Sequence, residues 1–268
     1  MLKDITLGQY FPGNSIAHKL DPRTKILLVT FYIVALFSAK GVPGYAVMIL
    51  TLAGCVKVSH VGLRALVKGL KPLVFIIVFT GILNVFFTPD ESYLFEWGIL
   101  HLSVKGIETA VFMVIRIMLL VMGTFLMTYT TSPIRLTDGL ESLLDPLKKL
   151  HVPVHELSMM MAIALRFIPT LIEETDKIMS AQKARGADFE SGNIFQKAKA
   201  LVPILVPLFI SAFRRADELA TAMECRCYHG GEGRTRLHVL KYERRDCIAL
   251  MGGAAILLLV LVLRRFGG

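Results

Sequence analysis

Blocks of apolar residues constrain the fold of this chain more than any other feature. The longest block, IETAVFMVIRIMLLVMGTFLMTYT, covers residues 107–130. A membrane-spanning helix needs about 20 largely apolar residues, because each residue advances ~1.5 Å through a hydrocarbon layer ~30 Å thick. Hydrophobic residues make up 54% of the 268 residues, which is more than a soluble protein usually carries. The sequence therefore predicts an all-α integral membrane protein.

We expect about five transmembrane helices. Four of them belong to a membrane domain formed by residues 1–131, at 26–39, 44–59, 72–88 and 107–130. The fifth lies in the C-terminal segment 247–268. The first block is short for a span. It crosses the bilayer if Lys25 and Lys40 extend their charged ends to water, or if residues 26–58 form a tight hairpin.

The charges between the spans predict the orientation. Residues 57–71 carry four cations and no acid, whereas residues 89–103 carry three acids and no Lys or Arg. Because Lys and Arg accumulate in cytoplasmic loops, we expect 57–71, the N-terminus and 132–246 inside and 89–103 outside. Arg264 and Arg265 then lie outside, against the same rule. The net charge of +9 is explained by such cationic loops on the cytoplasmic side of the lipid bilayer, so we expect no nucleic-acid partner.

Arg116 lies in the middle of the fourth predicted span. A charge at that depth costs about 2.5–3.5 kcal/mol on insertion scales. Its guanidinium is therefore either a substrate-binding or coupling charge, or half of a structural ion pair that faces the helix bundle.

Residues 132–246 form a second domain, in which long amphipathic helices are predicted over about 154–188 and 194–224. In the first, apolar residues recur every three or four positions. Only nine uncharged residues separate Glu156 from Arg166, so we expect this helix outside the membrane. The apolar centre of the second, ALVPILVPLFISAF, is short for a span. We expect it to pack at the membrane face, with a dip into lipid as the alternative.

Both long helices end beside an arginine that is flanked by small residues. The two triplets are Ala184, Arg185 and Gly186, and Cys225, Arg226 and Cys227. Small neighbours let another protein approach the helix end, where a guanidinium offers a planar set of donors to carboxylates or carbonyl oxygens. A single such arginine is explained equally well as a solvated side chain that favours the helix dipole. Two at equivalent places indicate a pair of docking sites.

The motifs of common enzyme chemistries are missing from the sequence. There is no GxxxxGK[ST] phosphate loop and no GxSxG elbow, and HELSM at 155–159 lacks the second histidine of HExxH. Cys225, Cys227 and His229 could hold a thiophilic metal. A helix, however, would place the two cysteines on different sides, and no second pair of ligands lies nearby. We expect no catalytic residue, metal site or cofactor in this chain.

The order of these features resembles the transmembrane T component of energy-coupling-factor (ECF) transporters. An apolar N-terminal half is followed by long amphipathic helices that each end in a small–Arg–small triplet. The clearest parts of the resemblance are LDPRTK (20–25), ALRFIPTLIEE (164–174), AQKARGADF (181–189) and AMECRCYHGGEGRTR (222–236). The second triplet departs from the family's common Ala-Arg-Gly, which leaves a glycine-specific backbone geometry there in question.

The resemblance implies a non-catalytic scaffold in the cell membrane of a prokaryote. Such a scaffold would join two cytoplasmic ABC-type ATPases, which bind ATP and Mg, to one substrate-binding membrane subunit that takes up a vitamin or a transition metal ion. Arg185 and Arg226, with their small neighbours, would seat in grooves of the two ATPases. The long helices would then transmit the ATP-driven movement as coupling helices.

Two other classes of function stay open at this point. One is a self-sufficient secondary transporter with Arg116 at its binding site, which should show internal repeats and discontinuous spans around a midplane site. The other is a membrane-embedded enzyme that acts on a lipid or isoprenoid, which should show clustered acids or histidines at a membrane face. The sequence contains only scattered acids.

Overall fold

The computed structural model describes residues 10–88, 93–97, 100–150, 152–189, 193–230 and 239–266. The chain divides into two compact units. The bundle unit comprises Gly8–Leu140 and Leu240–Gly268, and the long-helix unit centres on Glu141–Val239. These limits lie within about ten residues of the boundaries predicted for the membrane and coupling domains. The placement of either domain in or outside the membrane stays a prediction.

The described residues are mostly helical, so the predicted all-α class is confirmed. The helices are α1 Ile16–Lys19, α2 Pro22–Ser38, α3 Gly41–Ser59, α4 Leu63–Leu70, α5 Val74–Phe87, α6 Val104–Thr130, α7 Pro133–Leu144, α8 Val154–Ala184, α9 Ile194–Glu224 and α10 Arg244–Phe266. Two 3-10 segments cover Lys71–Leu73 and Asp145–Leu150. A short antiparallel hairpin, which the sequence pattern did not predict, pairs β1 Tyr93–Trp97 with β2 Leu100–Ser103.

Six stretches of the described helices are long and apolar enough to cross a membrane. They are Gly41–Ser59, Leu63–Phe87, Val104–Thr130, Val154–Ala184, Phe195–Glu224 and Arg244–Arg265. Four of them overlap predicted spans. The predicted span at 26–39 lies in α2, which has 17 residues and is shorter than the other candidates. By length and composition α8 and α9 qualify as well. The sequence predicts α8 outside the membrane and α9 at the membrane face, with a dip into lipid as the alternative, and both placements stay predictions.

The cationic segment 57–71 is helical over most of its length rather than an open loop. α3 continues to Ser59, and α4 begins at Leu63. Leu66 and Leu70 are buried on one side of α4, whereas Arg64 and Lys68 are exposed. Charge counting could not detect this helix, because eight residues carry only two turns of amphipathic pattern.

The core of the bundle unit forms where α2, α3, α6 and α10 pack against one another. The Tyr32 hydroxyl donates to the carbonyl oxygen of Leu119 at 2.9 Å, which joins α2 to α6. The ring of Tyr32 lies directly over Gly123, which carries no side chain to obstruct it. In the same way Gly253 of α10 leaves room for Leu28 of α2. Glycines at these contacts let the helices approach closely.

The LDPRTK segment joins the start of α2 to the start of α10. Asp21 caps α2 by accepting from the backbone N–H of Arg23 at 2.9 Å. Its own N–H donates to Asp246 at the start of α10, also at 2.9 Å. The Arg23 guanidinium pairs with Asp21 at 3.0 Å and lies over the ring of Tyr242. The hydrogen bond to the Asp21 carboxylate raises the pKa of Arg23.

Lys25, the last residue of the same segment, reaches α6. Its Nζ donates to the carbonyl oxygen of Thr130 at 2.9 Å and to the hydroxyl of Thr131 at 3.0 Å. Thr130 is the last residue of α6, so the lysine satisfies a carbonyl group that has no partner within the helix. Of the two alternatives for the short block at 26–39, extension of Lys25 to water does not occur: Lys25 is 6% exposed and binds inside the unit.

Arg116 faces the α2–α3 hairpin. Its Nε donates to the Tyr45 hydroxyl at 2.9 Å, and its Cζ lies 5.9 Å from the centre of the Phe37 ring. Tyr45 in turn stacks on Phe112. Among the residues that the structure describes, no carboxylate pairs with Arg116. The hydrogen-bond partner of Arg116 in the bundle is thus a tyrosine, and its role stays open.

Candidate functional site

Helix α8 ends in a defined backbone turn at the first triplet. Gly186 adopts the left-handed conformation with φ +85°. Its N–H donates to the carbonyl of Lys183 at 3.0 Å, and the N–H of Ala187 donates to the carbonyl of Gln182 at 3.0 Å. These two bonds define a Schellman motif, in which the left-handed residue follows the C-cap. Arg185 is that C-cap. The helix therefore stops four residues before the predicted end at 188.

Helix α9 ends in the same turn at the second triplet. Cys227 has φ +58° and donates its N–H to the carbonyl of Glu224 at 2.8 Å. The N–H of Tyr228 donates to the carbonyl of Met223 at 3.0 Å. Both hydrogen bonds match those of α8 residue for residue, and Arg226 takes the C-cap position. The two triplets thus share one backbone geometry as well as one sequence pattern.

Cysteine replaces glycine at the left-handed position of the second turn. The sequence left open whether a glycine-specific geometry is kept there, and Cys227 does adopt it. A residue with a Cβ pays about 1–2 kcal/mol for this conformation. The two hydrogen bonds of the turn hold it in place nonetheless.

Only Cys227 leaves the helical conformation. The N–H of Cys225 still donates to the carbonyl of Thr221 at 2.9 Å, as in a helix, whereas Cys227 is the left-handed residue of the turn. Both thiols are free and exposed. Over the described part of the chain, no three His, Cys, Asp or Glu side chains converge as a metal site would require.

All six triplet residues are exposed. Within the described residues, no hydrogen bond or ion pair engages the guanidinium of Arg185 or of Arg226. Each guanidinium can therefore offer its full set of N–H donors to another molecule. The small residues on either side leave the helix end uncovered, as the sequence predicted.

An ion pair fixes where the two long helices meet. Arg215 of α9 donates to Glu174 of α8 at 2.9 Å. Arg185 follows Glu174 by eleven residues, and Arg226 follows Arg215 by eleven residues. At ~1.5 Å per residue, each triplet lies about 16 Å along its helix from this contact. Sequence reasoning missed the pair, although the equal spacing was visible in the sequence.

Apolar side chains of α9 remain exposed along one stripe. They recur at intervals of one and three residues, as one helical face requires, and include Leu201, Val202, Leu205, Val206, Phe209, Ile210 and Phe213. On α8, Met160 is 55% exposed and Met161 is 37% exposed. Contiguous apolar surface of this kind marks a face that lipid or another protein covers.

The fold and these helix ends define an all-α, multi-pass membrane protein whose two longest helices carry matched arginine caps. Comparison with known proteins agrees with this class. The profile of the cobalt transport protein family CbiQ matches residues 13–237.

Several curated relatives match over nearly the full chain, and each is called energy-coupling factor transporter transmembrane protein EcfT. The protein from Clostridium kluyveri is 55% identical over 266 residues, which are 99% of this chain and 98% of the relative. That from Ruminiclostridium cellulolyticum is 54% identical over 248 residues, 92% of each chain. That from Bacillus subtilis is 46% identical over 264 residues, 98% of this chain and 100% of the relative. The chain therefore belongs to the family of transmembrane T components of ECF transporters.

Proposed function

We propose that this chain is the non-catalytic coupling subunit of an ECF transporter and that its two arginine-capped turns dock on two ABC-type ATPases. One observation carries the proposal: two successive helices end in the same Schellman turn, each with an arginine at the same position that is exposed and has no partner among the described residues. If the arginines were only solvated side chains, nothing would require the same turn at both helix ends. Two similar partner subunits would require it, because each needs an equivalent contact.

The crossing of α8 and α9 supports a coupling role. The two triplets lie at equal distances, about 16 Å, from the Glu174–Arg215 contact. Movement of the docked ATPases, which bind ATP and Mg, would displace both helix ends about this contact. The helices would carry that displacement toward the other subunit. In this orientation the N-terminus and residues 132–246 are cytoplasmic.

The exposed apolar stripe of α9 and the methionines of α8 suit a substrate-binding membrane subunit. Methionine side chains are flexible and adapt to a surface that moves over them. We infer that this subunit, rather than the present chain, binds the transported vitamin or transition metal ion.

The docking role is tested by reversing both charges. In the double variant Arg185→Glu, Arg226→Glu, the introduced carboxylates would be repelled by acidic groups in the ATPase grooves. We expect the chain to insert and fold normally, the ATPases to be lost on purification from native membranes, and ATP-driven uptake to fall at least tenfold. The measurements are subunit stoichiometry in the purified complex and uptake of radiolabelled substrate in proteoliposomes.

A matched control reverses two other exposed cations of the same unit, in the variant Lys149→Glu, Lys199→Glu. This control changes the net charge by the same amount and should keep both the ATPases and uptake. Full ATPase retention and unchanged uptake in the Arg185→Glu, Arg226→Glu variant would rule out the docking role. Transport by the chain without any ATPase would rule out the whole proposal.

A further inference from the structure

At one end of the bundle unit, α2 and α10 begin and α6 ends at the same height. We call this the junction end. Lys25, in the first turn of α2, donates to the carbonyl of Thr130 at the end of α6. Asp246, in the first turn of α10, accepts from the N–H of Asp21. α2 and α10 therefore run parallel from the junction end, and α6 runs toward it. Leu28 and Gly253, which are in contact, lie seven residues beyond Asp21 and Asp246 respectively, so the two helices keep the same register.

At the opposite end these helices stop at different heights. α6 has 27 residues, about 40 Å, whereas α2 has 17 residues, about 25 Å. α2 and the α2–α3 turn at Lys40 therefore end about 15 Å short of α6. Arg264 follows Asp246 by eighteen residues, which places it about 27 Å from the junction end. Lys40, Arg264 and Arg265 thus lie at nearly the same height.

Helix α10 packs against both helices of the α2–α3 hairpin. Val260 is fully buried in the same cluster as Ala39 and Tyr45, which flank the hairpin turn. Arg264 lies one helical turn beyond Val260 on the same face of α10. It therefore continues the side of α10 that packs against the hairpin.

Arg116 extends toward the same level. Fourteen residues of α6 separate it from Thr130, so its backbone lies about 21 Å from the junction end. Side chains on a helix lean toward its N-terminus, which for α6 is the end away from the junction. The hydrogen bond to Tyr45 and the approach to the Phe37 ring place the guanidinium beside the hairpin.

The acid on α10, Asp246, lies at the junction end, about 27 Å from Arg264, and the acid on α6, Glu108, lies eight residues from Arg116. Residues 26–59 and 247–268 contain no Asp or Glu, and Lys40, Arg264 and Arg265 are exposed. A height of about 25–27 Å above the junction end corresponds to the polar boundary of a hydrocarbon layer ~30 Å thick. Lipid phosphates lie at that boundary. Their charge would explain why Arg264 and Arg265 occupy the side of the membrane that usually lacks cations.

We propose that Lys40, Arg264 and Arg265, with Arg116 beneath them, bind the headgroup of an anionic phospholipid at the membrane face opposite the junction end. A phospholipid fits better than free phosphate, because exposed apolar side chains lie next to the cations. Phe37, Val42 and Val262 are 60%, 71% and 51% exposed. They offer a surface for acyl chains below the headgroup.

Lipid retention by the purified full-length chain tests the site. The chain is purified in detergent, incubated with equal amounts of phosphatidylglycerol and phosphatidylcholine, and examined by native mass spectrometry. We expect preferential retention of phosphatidylglycerol. In the variant Lys40→Gln, Arg264→Gln, Arg265→Gln, that retention should fall at least tenfold, because each removed cation weakens attraction to anionic lipid.

Three comparisons make the result decisive. The variant Lys148→Gln, Lys149→Gln, Lys177→Gln removes the same charge from the long-helix unit and should retain phosphatidylglycerol as the parent chain does. The variant Lys40→Arg should also retain it, because the charge is kept. Glycerol 3-phosphate in millimolar excess should not displace the lipid. Equal retention by the parent chain and the triple Gln variant, equal loss in the control, or displacement by glycerol 3-phosphate would overturn the proposal.

Discussion

At the scale of single residues, the position of each triplet arginine depends on the residue that follows it. Gly186 and Cys227 adopt φ +85° and +58°, which turns the chain away from the helix axis. The preceding arginine is then the last residue in line with its helix. Glycine reaches this conformation without strain, whereas cysteine does not. The two turns therefore share a geometry but differ in intrinsic stability.

Single substitutions at Gly186 and Cys227 should change the stability of the two turns in opposite directions. Gly186→Ala should weaken the end of α8, because alanine is strained at positive φ even though its Cβ meets open space. Cys227→Gly should strengthen the end of α9. We expect about a fivefold change in amide exchange, for roughly 1 kcal/mol, at Ala187 and at Tyr228. Hydrogen exchange read by mass spectrometry measures both; faster exchange at Tyr228 in Cys227→Gly would contradict this account.

At the scale of helices, close approach within the bundle unit requires glycines, which have no side chain, at the contacts. The Tyr32 ring occupies the space above Gly123 and is held there by the hydrogen bond from its hydroxyl to Leu119. The ring cannot move aside without breaking that bond. Gly54 of α3, by contrast, has no heavy atom within 4 Å of the place where a Cβ would lie.

Alanine substitutions at these two glycines should therefore differ sharply. We expect Gly123→Ala to destabilise the chain by about 1–3 kcal/mol, because the added methyl group forces α2 and α6 apart. Gly54→Ala serves as the matched control and should be neutral or stabilising by up to about 1 kcal/mol. Thermal unfolding of the two variants in detergent provides the comparison. Similar unfolding midpoints for the two variants would contradict this account, because the α2–α6 contact would then accept a methyl group without loss of stability.

At the scale of the whole molecule, the chain has two units with different surfaces. The bundle unit buries a core and ties its first and last segments together through Asp21 and Asp246. The long-helix unit buries few large side chains and leaves the apolar stripe of α9 exposed. A unit with so little core of its own is suited to binding other subunits. Most of its stability in the complex would then come from them.

Reversing the charge of one triplet arginine at a time should release one ATPase at a time. If each helix end docks one subunit, Arg185→Glu alone should release one ATPase and Arg226→Glu alone the other, because the remaining turn is intact. Complexes purified without nucleotide should then contain one ATPase for each coupling subunit, as measured by native mass spectrometry. Loss of both ATPases from either single variant would show that the two turns act on one shared partner surface.

Much of this organisation could be predicted from the sequence because it depends on local patterns. The apolar blocks at 44–59 and 107–130 predict helices at about the observed places, since hydrocarbon thickness sets the length of a span. The repeated small–Arg–small triplets mark both helix ends.

The tertiary structure decided what depends on contacts between distant residues. Lys25 is a flanking cation by pattern, yet it binds Thr130 because α2 and α6 meet at that height. Arg116 pairs with Tyr45, which lies 71 positions earlier in the chain. The left-handed turn at Cys227 could not be predicted from a glycine, because cysteine occupies that position. The sequence determined by itself which segments are helices and where arginines end them; packing determined the partners, because only folding brings those residues together.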